Sequence, residues 1–301
     1  MKKYLLLSIL LGGALLSACF DEDKIHADLG TYKRAYDTTS TDPVWKYVSQ
    51  YYYKYGKLFI TDPDSSDYLF NFQYKFGLKV EQTTQNTEHL LKCIQFVNEM
   101  LLDGFSDDFK KTYFPYSIIL AKSIVYTGGL TPMDKDIYCT KYHVSLKVNE
   151  DVLKMTEVEK EELSAKWNLG FLLDFCAAYG SGVVIPEDFY AVSKEFRGRY
   201  QGAQLPKEEW YERGFLTGIV VDHYQPWWST DPNDGYDYTD FPTYDDTDFK
   251  YFFTGMLTIP SEELQEIATK YPRVKARLDI IDAELQKIGI DYKNMGYKAK
   301  N

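Results

Sequence analysis

The sequence predicts an α+β fold, mixed α/β in its N-terminal half and helical in its C-terminal half. Two observations carry this. Alternating and helical apolar spacings mix before residue 150, and capped amphipathic segments follow one another after Thr156. Residues 41 to 301 are enough for one large domain, and no internal repeat or low-complexity tract divides them.

The elements follow in order. Asp42-Pro43 opens an amphipathic helix through Val44, Trp45, Val48, Tyr51, Tyr52 and Tyr55, which Gly56 ends. Lys57 to Thr61 reads as a strand, Asp62-Pro63-Asp64 as a turn, and Tyr68 to Val80 as extended chain. From Asn86 to Leu102, Leu90, Leu91, Ile94, Val97, Met100 and Leu101 recur at helical spacing. Ser117 to Val125 and Tyr138 to Val148 read as strands, with Gly128-Gly129 and Pro132 between them. Thr156 and Glu159 form a capping box for a helix running to Phe175. Further helices are expected over Pro186 to Phe196, Pro206 to Phe215, Asp245 to Leu257, Pro260 to Lys270 and Pro272 to Ile288.

The first nineteen residues carry an address. Lys2 and Lys3 precede an apolar run from Tyr4 to Leu16, then Leu16-Ser17-Ala18-Cys19. A basic start, an apolar run too short to span a bilayer and small residues before a cysteine predict a lipoprotein signal peptide over 1 to 18, with a lipid on Cys19. Residues 19 to 40 are polar and aperiodic, a flexible tether reaching roughly 25 Å as a coil. Phe20-Asp21-Glu22-Asp23 resembles the acidic signal that sends lipoproteins of Gram-negative gut anaerobes to the cell surface. Removing the leader takes two lysines, leaving 32 basic residues against 45 acids, a net charge of −13. Such a surface repels nucleic acid. Of the four cysteines, Cys93, Cys139 and Cys176 remain once Cys19 is lipidated, an odd number that argues against a full disulfide framework and leaves room for one pair, with buried free thiols the plainer state.

The helix Glu161-Glu162-Leu163-Ser164-Ala165-Lys166-Trp167-Asn168-Leu169-Gly170-Phe171-Leu172-Leu173-Asp174-Phe175 is followed by Pro186-Glu187-Asp188-Phe189, Trp210-Tyr211-Glu212-Arg213-Gly214-Phe215, Asp248-Phe249 and Gly289-Ile290-Asp291. In order and spacing, from about Trp45 to Tyr292, this resembles the zinc metallopeptidase lipoproteins of gut anaerobes. The resemblance implies a single zincin-like domain over 41 to 301 and partnership with SusC/SusD-type outer-membrane importers of peptides or glycans. In that family the helix carries His-Glu-x-x-His, two zinc ligands one turn apart with a glutamate as general base. On this sequence the histidine positions fall on Trp167 and Phe171, the glutamate on Asn168 and a later acidic ligand near Tyr251. An indole, a phenyl ring and an amide can neither hold zinc nor take a proton from water. The resemblance thus implies a degenerate member with no metal cofactor.

The chain holds four histidines, His26, His89, His143 and His223, none in a His-x-x-x-His pair. His89 and Cys93 lie one turn apart without a companion pair, so a half-exposed histidine beside a core thiol is the plainer reading. Gly180-Ser181-Gly182 is not the Gly-x-Ser-x-Gly elbow of a serine hydrolase, and neither a Cys-x-x-Cys nor a phosphate-cradling glycine loop occurs. The segment His223 to Phe253 sets Tyr224, Trp227, Trp228, Tyr236, Tyr238, Phe241, Tyr244 and Tyr251 among seven aspartates. Asp231-Pro232-Asn233-Asp234-Gly235 hints at calcium, with its glycine one residue early for an EF-hand loop. Flat rings beside carboxylates suit sugars or peptides, which makes Tyr224, Trp227, Trp228, Tyr236 and Tyr238 candidate contacts to a ligand or partner. A long loop pinned by its own aromatics is the competing account. The expectation is a surface-anchored binding or accessory component of nutrient uptake, with a hydrolase of non-standard site as the alternative.

Overall fold

The computed structural model describes residues 39–69, 77–179 and 183–297. The predicted leader, the lipidated Cys19, the tether to residue 38 and the Gly180-Ser181-Gly182 loop lie outside the described residues. The fold is α+β, with ten α-helices among the described residues and three small sheets.

Helix α1, Pro43–Tyr55, begins and ends where its signals stand: the Asp42 carboxylate accepts from Val44 N at 2.8 Å, and Gly56 closes the helix with a left-handed φ of 69°. Strand β1, Leu58–Ile60, follows. The extended chain expected from Tyr68 is corrected. Asp64 and Asp67 form a capping box that nucleates α2, Ser65–Tyr68, and the strand β2 starts only at Leu78, running to Glu81. Residues 70–76 of that stretch lie outside the described residues. Helix α3, Thr87–Met100, buries Leu90, Ile94, Phe96, Val97 and Met100, and α4, Asp107–Tyr113, follows it.

Both strands expected next divide in two. Ser117 to Val125 breaks at Lys122 into β3, Ser117–Ala121, and β4, Ser123–Tyr126, which belong to different sheets. After β5, Met133–Asp134, the second breaks at a turn closed by Thr140 N donating to His143 O, giving β6, Ile137–Cys139, and β7, His143–Lys147. The main sheet has the order β1-β3-β7-β6, with β1, β3 and β7 parallel and β6 antiparallel on its edge. Its central strands are buried on both faces, as parallel strands under helices require. A second antiparallel sheet has the order β2-β4-β5.

Helix α5, Glu157–Gly170, is capped by the Thr156–Glu159 box and continues as a π-helical segment, Phe171–Ala177. Then come α6, Glu187–Ala191, β8, Gly198–Gln201, and α7, Lys207–Glu212. The helical second half also holds a sheet that the apolar spacing does not announce. β9, Val220–Tyr224, and β10, Tyr236–Phe241, join β8 in an antiparallel sheet of order β8-β10-β9. Tyr236 to Phe241 carries the strand period in aromatic and polar residues, and Tyr238, Thr239 and Phe241 are buried at the sheet centre. Helices α8, Asp245–Thr258, α9, Ser261–Lys270, and α10, Pro272–Lys287, close the domain. A buried ion pair, Arg277 Nη2 to Asp248 Oδ1 at 2.6 Å, ties α10 to α8.

Candidate functional site

Helix α5 is wedged between α3 and α8, and its two faces differ. Trp167, Asn168 and Phe171 point into the core, at 0%, 0% and 1% exposure. Trp167 meets Phe96 edge-on, with ring centroids 5.9 Å apart. Phe171 sits in a nest with Phe105, Phe114 and Phe175 at 5.0 to 5.4 Å. The Asn168 amide donates to Met100 O at 3.0 Å and Ser164 O at 2.8 Å, tying α5 to the end of α3. Tyr251 is half-buried on α8, and its ring lies over Gly218, where a Cβ would stand 1.9 Å from Tyr251 Cγ. The four positions the resemblance assigned to the metal site therefore offer aromatic packing and one amide. Zinc does not fit that donor set. Among the described residues no three His, Cys, Asp or Glu side chains gather as a ligand group.

The remaining candidates are accounted for locally. His89 Nε2 lies 3.0 Å from the Thr83 hydroxyl, and burial pushes the Cys93 thiol up to about 11. His143 is buried in β7, its Nε2 at 3.2 Å from Tyr68 O and its Nδ1 at 3.2 Å from Ser145 Oγ.

The opposite face of α5 borders a cleft of about 320 Å³, which sequence reasoning missed. Lys166, Leu169, Gly170, Leu173 and Asp174 form one wall, Asp134 to Ile137 the other, and Lys250 of α8 closes it. Gly170 is where helix and edge strand meet: a Cβ there would stand 2.9 Å from Ile137 Cγ2. Lys147 holds Asp134 at 2.6 Å and Asp136 at 2.7 Å, and Lys166 also pairs with Asp136. Burial pushes the Asp136 carboxyl up, but bonds from Lys147 and Lys166 outweigh it and leave it below its ordinary value. Asp174 shows the reverse. Burial raises its carboxyl, and Lys135 and Lys250 oppose this without cancelling it. These charged residues are scattered over five elements and leave no spacing signal in the chain.

The second cluster is the β9–β10 hairpin. Its register sets Tyr236 opposite Tyr224, Asp237 opposite His223, Tyr238 opposite Asp222 and Thr239 opposite Val221. Tyr224 and Tyr236 stack across the strands at 5.2 Å, and His223 Nδ1 meets Asp237 Oδ1 at 2.7 Å. The loop is held by its own bonds: Gln225 Nε2 donates to Ser229 O and Asp231 O, Asp231 Oδ1 accepts from Asn233 N at 2.9 Å, and Ser229 Oγ donates to Asp234. Gly235, at φ +130°, lets the chain return, since a Cβ would stand 2.0 Å from Tyr224 O. Trp227 and Trp228, edge to face at 5.6 Å, stand out at 88% and 68% exposure. The structure thus brings Tyr224, Tyr236 and the two tryptophans together on one projecting hairpin. Tyr238 is different: its side chain is buried beneath the Arg199 guanidinium, 3.9 Å from the ring centroid, so it supports the sheet and does not face solvent.

No known family profile and no curated protein matches the chain. Among solved structures it is similar to a candidate zinc-binding metallo-peptidase from Bacteroides caccae. The two share 14% identity at a TM-score of 0.39, over 78% of this chain and 91% of the other. That distance sets no residue of one on a residue of the other.

Proposed function

We propose that the protein is a lipid-anchored, zincin-like scaffold without metal catalysis that binds peptide or glycan for a SusC/SusD-type importer at the outer face of the outer membrane. The basic, apolar and small-residue order ending in Cys19, with the acidic Phe20-Asp21-Glu22-Asp23, supports the address. Aromatic and amide side chains at 167, 168 and 171 support the loss of metal chemistry. The observation that carries the binding role is the exposed Trp227–Trp228 pair on a hairpin held by its own hydrogen bonds. Two large rings left in water are costly unless something covers them, and rigid aromatic faces bind with little entropy loss.

Titration calorimetry of the purified protein against peptide and glycan panels, with co-purification from solubilised outer membrane, tests this. Trp227→Ala with Trp228→Ala should lower affinity by about 2 kcal/mol, roughly thirtyfold, while leaving stability within about 0.5 kcal/mol. Equal binding by parent and variant would remove the hairpin from the site.

The cleft favours a second reading, a hydrolase with a non-standard site. Asp174 is a solvent-accessible carboxyl on the cleft wall that desolvation by its neighbours raises, which suits a general acid able to meet substrate. On this reading peptide or glycan hydrolysis by the parent should fall about 10²-fold or more in Asp174→Asn. A parent that turns over nothing in either panel ends it.

A further inference from the structure

We infer that β9 is a docking edge for an extended peptide segment rich in lysine or arginine, which adds to the β8-β10-β9 sheet as a fourth strand. The inference rests on the hairpin being the binding surface and names what the hairpin holds. In the sheet order β9 is terminal, so among the described residues only one of its sides pairs. All five of its residues are exposed, Val220 and Val221 at 51% and 42%. Its ladder with β10 runs through five consecutive pairs without a bulge, and β9 contains neither lysine nor proline, the usual guards of a strand edge.

The register identifies the free groups. The His223 ring meets Asp237 directly across the strands, and His223 N–H donates to the Asp222 carboxylate at 2.7 Å and not to β10. By the alternation of an antiparallel ladder, Val221 then turns its N–H and C=O outward as well. An incoming strand finds the donor and acceptor of Val221, the acceptor of His223, and apolar seats on Val220, Val221 and Tyr224.

Charge selects the occupant. Between Arg213 and Lys250 the chain has no lysine or arginine, and Asp222, Asp231, Asp234 and Asp237 are exposed on the hairpin. The Arg199 guanidinium is occupied on β8, across the sheet, over the Tyr238 ring. A second copy of β9 would bring its own Asp222 against this one, so self-pairing is repelled, as is any acidic strand. A strand of alternating lysine and valine sets its cations on the face of Asp222 and its methyl groups on the other face, against Val221.

Three probes test this on the full-length, detergent-solubilised protein: a Lys-Val-Lys-Val-Lys-Val peptide, its Glu-Val counterpart, and the basic peptide N-methylated on alternate residues. The basic peptide should bind, more weakly as salt rises, while the acidic and N-methylated peptides bind at least about tenfold less. Val221→Pro removes an outward N–H without touching the β10 ladder and should cost about tenfold or more, whereas Val221→Thr, which keeps the donor, should bind as the parent does. Parent-like binding of the N-methylated peptide overturns strand addition even where Val221→Pro misfolds, and equal binding of the acidic peptide overturns the charge selection. If the double tryptophan variant loses the basic peptide and Val221→Pro keeps it, the hairpin remains the site and edge pairing is wrong. If both keep it, the hairpin reading falls too.

Discussion

Asp248→Ala should destabilise the domain by about 3–5 kcal/mol, read as a shift in the urea unfolding midpoint. Asp248 and Arg277 are both at 0% exposure, 2.6 Å apart, and Arg197 reaches the second carboxylate oxygen at 2.9 Å. Arg277 also donates to Gly214 O at 2.7 Å and lies over the rings of Phe189 and Phe252 at 4.0 and 4.5 Å. Truncating the acid leaves two guanidinium groups facing each other, one with no access to water. Burying an unpaired charge is the large term, while the net worth of the intact pair is small. The double variant Asp248→Leu with Arg277→Met should therefore recover much of the loss. A single variant within about 1 kcal/mol of the parent would mean that water reaches Arg277.

Stability should fall by about 3 kcal/mol between pH 7 and pH 4 on account of His143 alone, at about 1.4 kcal/mol per pH unit across the window. Burial lowers its imidazole from 6.5 to about 4, and the hydrogen bond to Tyr68 O opposes this only in part. The neutral ring fits its surroundings: Nε2–H donates to Tyr68 O, and Nδ1 accepts from the Ser145 hydroxyl. Since the folded value lies below the unfolded one, the unfolded chain takes the proton first as the pH drops through 6.5. The loss accumulates down to about 4, below which both states are protonated and this contribution is flat. Asp174 works in the other direction, because a raised carboxyl favours the fold as it protonates, and it offsets part of the fall at the acid end. Denaturant titrations of the parent and His143→Gln at stepped pH isolate the effect. Parallel pH curves for the two proteins would show that the imidazole does not titrate differently on folding.

Where the backbone is punctuated by chemistry, the sequence was readable. Asp42-Pro43 and Gly56 bound α1 because a carboxylate, a ring-fixed φ and a left-handed residue act locally. The Thr156–Glu159 box did the same for α5. The β9–β10 hairpin was hidden for a physical reason. β9 is exposed on both faces, so Val-Val-Asp-His-Tyr shows no alternation, and the Asp, Pro and Gly that shape the connecting loop dominate the local signal. The face of α5 was illegible in the same way. Leu169 and Leu173 line the cleft while Trp167 and Phe171 fill the core, and a stretch with large apolar residues on every side, Trp167 to Leu173, does not say which side is open. Trp227, Trp228 and Tyr224 were recognisable as chemistry, but Tyr238 shares the face of Tyr236, and only its place in the sheet beneath Arg199 buries it.

From Phe171 to Ala177 the chain winds more loosely than in the turns before it. Such a stretch behaves as if a residue had been added to an ordinary helix. Wound at the ordinary rate of about 3.6 residues per turn, the same residues would carry every side chain after them further round the helix axis. Asp174 would swing off the wall it shares with Lys250, with every side chain of the cleft unchanged in identity. The looser winding at this point, a property that no comparison of residue types registers, keeps that carboxyl aimed where it is.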